Sequence, residues 1–299
     1  MAVVALTSAR GAPGVSTAGL AMTLLWPRAA LLAECDPSGG SSVLAGYLRG
    51  TVDHSRGLLN LAVAHRHGEL EQALWPQLVP LTQAATAHAS ASDAGTGRRA
   101  AAGTDERWLL PGLSDAAQAP STAALWGPLS SLLASLERAG TDVVVDAGRL
   151  GAAHAPTALL RQADLVLLVT GASLPAVAAA RARLAVLRED LAVTATGDPG
   201  ASALRLLLVG EGRPYTAREI SAALDVPVLA SLAWDPASAE VLSTGAAPGR
   251  RFDASALVRS TRAAISAAGE LIASRRDRFE PPAGRRTRTS TLLSPEVAS

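Results

Sequence analysis

A chain of 299 residues is long enough for one large domain or two modest ones, and with 48% hydrophobic and 18% charged residues it can bury a sizeable core. A formal charge of +1 excludes an overall polyanion binder, though not a local basic patch. The single cysteine, Cys35, excludes an intrachain disulfide and a multi-cysteine zinc site within one chain.

A short apolar run, Ala2 to Leu6, reads as the first strand. The small-residue stretch Ser8-Ala9-Arg10-Gly11-Ala12-Pro13-Gly14-Val15-Ser16-Thr17 follows, and a helical pattern from about Val15 to Trp26 stops at Pro27. Strand, turn and helix in that order outline a phosphate-binding loop, with backbone N–H groups and the helix dipole facing an anion. Such loops end Gly-Lys-Ser/Thr; this one ends Gly14-Val15-Ser16. The chain contains no lysine and all 27 basic residues are arginine, yet position 15 is not Arg but Val. Ala29 to Ala33 reads as a second strand, ending in Glu34-Cys35-Asp36-Pro37-Ser38-Gly39-Gly40-Ser41-Ser42. Acidic residues and glycines there suit the ligand-facing edge of an α/β sheet, or a plain turn in which Ser41 or Ser42 caps a helix through Tyr47.

Helical spacing recurs around Leu58–His65 and Glu69–Leu74. Residues 82–106, rich in Ala, Ser, Thr and Gly, read as a flexible insertion. Trp108 to Leu110 is a brief strand, and Leu125, Leu129, Leu132, Leu133 and Leu136 place one face on a helix from about Thr122 to Arg138. Asp142-Val143-Val144-Val145-Asp146 is the clearest buried strand, since consecutive Val residues suit a parallel strand covered on both faces. Further strands are expected at Leu165–Val169, Leu204–Val209 and Val226–Leu232, alternating with helices opened by Pro175 and spanning Thr216–Leu224 and Ser238–Leu242. Asp253 is positioned to cap a last helix through Ile272. From Arg275 the pattern fails, and residues 275–299, with six Arg against one Asp and two Glu, read as a disordered basic tail.

The alternation predicts an α/β protein: a mostly parallel twisted sheet with helices on both faces. Right-handed crossovers then bring the segments at 8–17, 34–42 and 146–151 to one edge. No apolar run approaches the roughly 20 residues needed to span a bilayer, and no basic n-region precedes a signal-length apolar segment, so a cytoplasmic location is expected.

In order and spacing, these motifs resemble the ParA/MinD group of deviant Walker A P-loop ATPases over about residues 1–272. That family's loop reads Lys-Gly-Gly-Val-Gly-Lys-Thr-Thr; here Arg10, Gly11, Ala12, Pro13, Gly14, Val15, Ser16 and Thr17 stand in those places. Its next motif, Asp-x-Asp-Pro-Gln-Gly, corresponds to Glu34-Cys35-Asp36-Pro37-Ser38-Gly39. Asp146 ends an apolar strand as the Walker B aspartate does, and Asp225 to Asp235 matches a late Val-Pro-Val-Leu pattern. The resemblance implies one P-loop domain over 1–274 carrying the insertion, followed by the tail. It implies ATP and Mg²⁺ as cofactors, with residues 10–17 forming the nucleotide loop. Ser16 and Asp146 would serve the metal, and Asp36 would position the attacking water. Arg10 stands where a signature lysine reaches across a nucleotide-sandwiched homodimer. Val15 removes the cation that contacts the β/γ-phosphates, and phosphoryl transfer depends on such charge. Gly210-Glu211-Gly212 replaces the Asn that family members use on adenine.

Relatives of this fold that need cluster cysteines or a tyrosine-rich tail are set aside, because Cys35 is alone and residues 276–299 contain no Tyr. The expected function is that of an atypical member similar to TadZ- and CpaE-type proteins. It would be a weak or inactive ATPase that positions or recruits a pilus, secretion or cell-division assembly, at the membrane or nucleoid. Two alternatives stand beside it: an active partitioning ATPase that binds DNA non-specifically, and a scaffold that binds no nucleotide.

Overall fold

The structure, a computed structural model, describes residues 3–11, 14–81, 106–192 and 203–279. Its strands are β1 (Val3–Ser8), β2 (Ala30–Glu34), β3 (Val79–Pro80), β4 (Arg107–Leu110), β5 (Asp142–Arg149), β6 (Leu165–Gly171), β7 (Leu204–Val209) and β8 (Val228–Leu232). They form one eight-stranded sheet in the order β3-β4-β2-β5-β1-β6-β7-β8. The β3–β4 pair is antiparallel and the other pairs are parallel. The chain reverses direction of travel across the sheet around β1, where ligand-binding crevices form in open α/β sheets.

The valine run explains why β5 lies near the centre. Val143 and Val145 face one apolar cluster, with Leu61, Leu129, Leu184 and Ile220. Val144 faces the other, with Leu20, Leu242 and Ile265. Both faces are therefore covered, and each buried Val contributes roughly 1.5–3 kcal/mol. Helices α2 (Leu58–Arg66), α4 (Trp126–Ser135), α6 (Leu174–Ala192) and α7 (Ala217–Leu224) supply the first cluster, with the short α3 (Leu70–Leu74) and α5 (Thr157–Gln162). Helices α1 (Val15–Leu25), α8 (Pro236–Ser243) and α9 (Ala256–Phe279) supply the second. The expected doubly covered parallel sheet is the observed one.

Several boundaries differ from the sequence expectation. The helix expected over Thr122–Arg138 is a 3₁₀ turn (Ala116–Thr122), then α4, then a second 3₁₀ turn (Leu136–Ala139). The hydroxyl of Thr122 donates to the carbonyl of Ala119 in the first turn and that of Ser135 to the carbonyl of Leu132 just before the second, and such local bonds compete with regular helix. The segment through Tyr47 is a five-residue π turn (Val43–Tyr47), and Ser41 Oγ accepts from Leu44 N at 3.0 Å, so Ser41 is the capping side chain. Asp253 lies in a 3₁₀ turn (Phe252–Ala254), and it is Ser255 Oγ that accepts from Val258 N at the start of α9.

Of the expected insertion, residues 82–105 lie outside the described residues, as does the tail from 280 onward. Arg275 and Arg276, expected in the tail, belong to α9. Arg276 reaches Glu137 at 2.5 Å and Asp164 at 2.9 Å, and its guanidinium holds the Glu137 carboxyl below the usual range. These partners are partly exposed, so Arg276→Ala should lower stability by no more than about 1 kcal/mol. Urea denaturation at low and high salt would check this: the loss should shrink as salt rises.

Candidate functional site

β1, β2 and β5 end side by side, and the segments after them meet as expected. They bound a cavity of about 350 Å³, whose wall includes Gly14, Ser16, Asp36, Asp146, Gly148 and Arg149. Helix α1 opens onto it. Gly14 takes the left-handed conformation (φ 92°) that ends the loop, and α1 has no acidic residue in its first turn. The first N–H groups of a helix lack intrahelical acceptors, so this end of the cavity favours an anion.

Both carboxylates accept hydrogen bonds. Ser16 Oγ donates to Asp146 Oδ2 at 2.5 Å, and Gly148 N donates to Asp146 Oδ1 at 2.9 Å. Asp146 is buried, and burial pushes its carboxyl up to about 6 against the pull of those two bonds; the nearby Asp36 adds to the rise. Asp36 is half-buried and its Oδ1 accepts from Ser38 N at 2.8 Å. The end of β5 and the residue after it are fastened to β1: Thr7 Oγ1 donates to Gly148 O at 3.0 Å, and Leu150 N donates to Ser8 O at 2.8 Å.

The site residues expected from sequence are placed unequally. Gly11, Gly14, Val15, Ser16, Thr17, Asp36 and Asp146 all border the cavity. Ala12 and Pro13 lie outside the described residues. Val15 is 7% exposed and packs with Leu6 and Leu20 in the core, so its side chain is part of the sheet–helix packing. Arg10 is exposed and is not among the residues forming the cavity wall. Among the described residues Gly210, Glu211 and Gly212 do not border it either: Gly210 N donates to Leu232 O, and Glu211 accepts from Ala217 N.

Two residues carry more than their sequence position disclosed. Glu34, expected in a strand-end loop, is the last residue of β2 and buried, in register with Asp146 on β5. It accepts from Ser41 Oγ (2.5 Å), Val43 N (3.3 Å) and Gly112 N (3.4 Å), and so ties down the loop that carries Asp36. Burial pushes its carboxyl up to about 7, with Ser41 opposing and Asp146 reinforcing the rise. Arg149 is the other, the cation that borders the cavity among the described residues. Its signal was its place three residues after Asp146. Cys35, between the two acids, is fully buried and its thiol is pushed well up, so it is no nucleophile.

Both raised carboxyls bind protons more tightly in the folded than in the unfolded chain. Stability should therefore fall as pH rises from about 4.5 through about 7. At roughly 1.4 kcal/mol per pH unit, Glu34 alone would account for a loss on the order of 3 kcal/mol across that window. Glu34→Gln should flatten the dependence of the urea midpoint between pH 5 and 8. A slope equal to that of the native chain would contradict the assignment.

The donor set suits a phosphate chain with a divalent cation. Ser16 and Asp146 form a hydroxyl–carboxylate pair beside open helix N–H groups, and a cation would balance the negative charge of the buried Asp146 carboxylate. The eight-stranded, mostly parallel sheet with its helices matches the fold of the MinD and ParA P-loop NTPases. The chain superposes on the septum site-determining protein MinD of Pyrococcus horikoshii, solved with Mg-ADP, at a TM-score of 0.60 and 17% identity, over 90% of this chain and 96% of that one. It superposes on a ParA family ATPase of Chlorobium tepidum at 0.62 and 16% identity, over 89% and 98%. A MinC:MinD cell division protein complex of Aquifex aeolicus gives 0.55 and 14% identity, over 91% and 96%. No protein-family model matches the sequence, and no curated protein sequence matches it. At such identities the likeness establishes the fold.

Proposed function

We propose that this chain is a positioning protein of the ParA/MinD type that binds ATP with Mg²⁺ and hydrolyses it weakly or not at all. One observation carries this: the cavity keeps Ser16, Asp36 and Asp146 in place while Val15, where the loop lysine would stand, is buried in the core. Ser16 and Asp146 would hold the metal, which supplies positive charge at the phosphate oxygens. The α1 N–H groups would bind phosphate, and Asp36 would orient a water in the cavity. Without a lysine at position 15 the charge developing on the transferred group is less well stabilised, and turnover should be slow.

The nucleotide would then serve assembly. Arg10 is exposed and outside the cavity wall; it would meet a second copy of the chain, as the lysine it replaces does in the family it resembles. The MinD of the MinC:MinD complex is bound to a protein partner; here the partner would belong to a pilus, secretion or cell-division assembly. No helix among the described residues is long and apolar enough to cross a membrane; a membrane address would come through that partner or through an interfacial helix.

A phosphate-release assay on the full chain tests the proposal. Turnover should be near background and unaffected by Asp36→Ala. Rapid turnover abolished by Asp36→Ala would overturn it in favour of an active partition ATPase. The intact Asp36, Ser16 and Asp146 cluster is what favours that second reading, and it adds ATP-dependent, salt-sensitive DNA binding.

A further inference from the structure

The loop lacks its lysine, yet the cavity does not lack a cation. Arg149 borders it together with Gly11, Gly14 and Ser16. Resting on the nucleotide reading above, we propose that Arg149 is the phosphate-binding cation of this site, delivered from the end of β5 in place of the loop position that Val15 occupies.

Three observations support this. First, Arg149 sits in a fixed frame: it is in register with Ser8 at the end of β1, and hydrogen bonds hold the residues on both sides, Gly148 O to Thr7 Oγ1 and Leu150 N to Ser8 O. A side chain leaving that frame starts beside the phosphate loop. Second, its guanidinium is exposed and, among the described residues, makes no hydrogen bond or ion pair, so it is available to a ligand. Third, the cavity already holds two carboxylates, Asp36 and Asp146. A triphosphate adds further negative charge there, and a planar guanidinium is the donor best matched to phosphate oxygens. The ligand class is accordingly a polyphosphate ester with its metal, bound by Arg149 from the side of β5.

The test is calorimetric titration of the full chain with Mg²⁺ and the non-hydrolysable β,γ-imido analogue of ATP. Arg149→Ala should weaken binding at least tenfold, and Arg149→Lys should recover most of it. Arg183→Ala is the control: Arg183, on α6, lies over Gly151, two residues after Arg149, but outside the cavity wall. It removes the same charge and should change affinity less than twofold. Val15→Lys in the Arg149→Ala background should restore binding, because the ammonium re-enters from the loop. If the native chain binds and Arg149→Ala binds equally well, or if Arg183→Ala costs as much, the inference is overturned while the nucleotide reading stands. If the native chain binds no analogue, the nucleotide reading fails and takes this inference with it. Circular dichroism of each variant separates lost binding from lost folding.

Discussion

Gly148→Ala should disable the site and lower stability by about 2–4 kcal/mol, from a left-handed backbone and a steric overlap together. Gly148 has φ +65°, a conformation that L side chains rarely adopt. A Cβ placed there would lie 2.3 Å from Asp36 Cγ and 2.6 Å from both of its carboxylate oxygens. Something must move. The backbone of Gly148 is pinned on both sides, by its N–H to Asp146 and by its carbonyl to Thr7, so the Asp36 side chain would be the part to yield. The variant should melt several degrees lower and bind Mg-ATP at least tenfold more weakly. Thermal melts with and without Mg-ATP check both; an unchanged melting temperature would mean that Gly148 and Asp36 are not packed as described.

Val15→Lys should act in opposite directions on folding and on binding. Val15 is 7% exposed among Leu6, Leu20 and their neighbours, so removing it from the core should destabilise the unliganded chain by roughly 1.5–3 kcal/mol. The lysine ammonium would meanwhile enter the cavity at the start of α1, where N–H groups already favour an anion. Affinity for Mg-ATP should rise about tenfold or more, equivalent to roughly 1.4 kcal/mol or above. The variant should therefore melt below the native chain without ligand, and saturating Mg-ATP should close much of the gap. A lysine that lowers stability and leaves affinity untouched would show that the cavity is not built around phosphate.

Most of the fold was legible because its signals are local. Val143 to Val145 are consecutive apolar β-branched residues, and only a strand covered on both faces accommodates them, which is where β5 lies. Short apolar runs marked β1, β2, β6 and β7 within a few residues. Helix ends were less legible. Asp253 was as good a cap as Ser255 by residue type, and the turn at Phe252–Ala254 decided between them. In the site, Ser16 and Asp36 could be read because each follows a strand at a recognisable spacing, and Asp146 because it closes the valine run of β5, although that strand continues to Arg149. Glu34 and Arg149 could not be assigned in that way. One is defined by three partners 7, 9 and 78 residues away, Ser41, Val43 and Gly112, and the other by a register with Ser8 that appears only when β1 and β5 pair. Val15 was legible as a missing cation, but its burial depended on the packing of α1 against the sheet.

Calorimetric titration of Mg-ATP into the full-length native chain is the most direct test of whether the cavity between β1, β2 and β5 is a nucleotide site. The expected result is saturable heat with one site per chain, dependent on Mg²⁺ and lost in Ser16→Ala, which leaves the Asp146 carboxylate without its hydroxyl partner. Absence of heat in the native chain, or binding that Ser16→Ala and removal of Mg²⁺ leave unchanged, would contradict it.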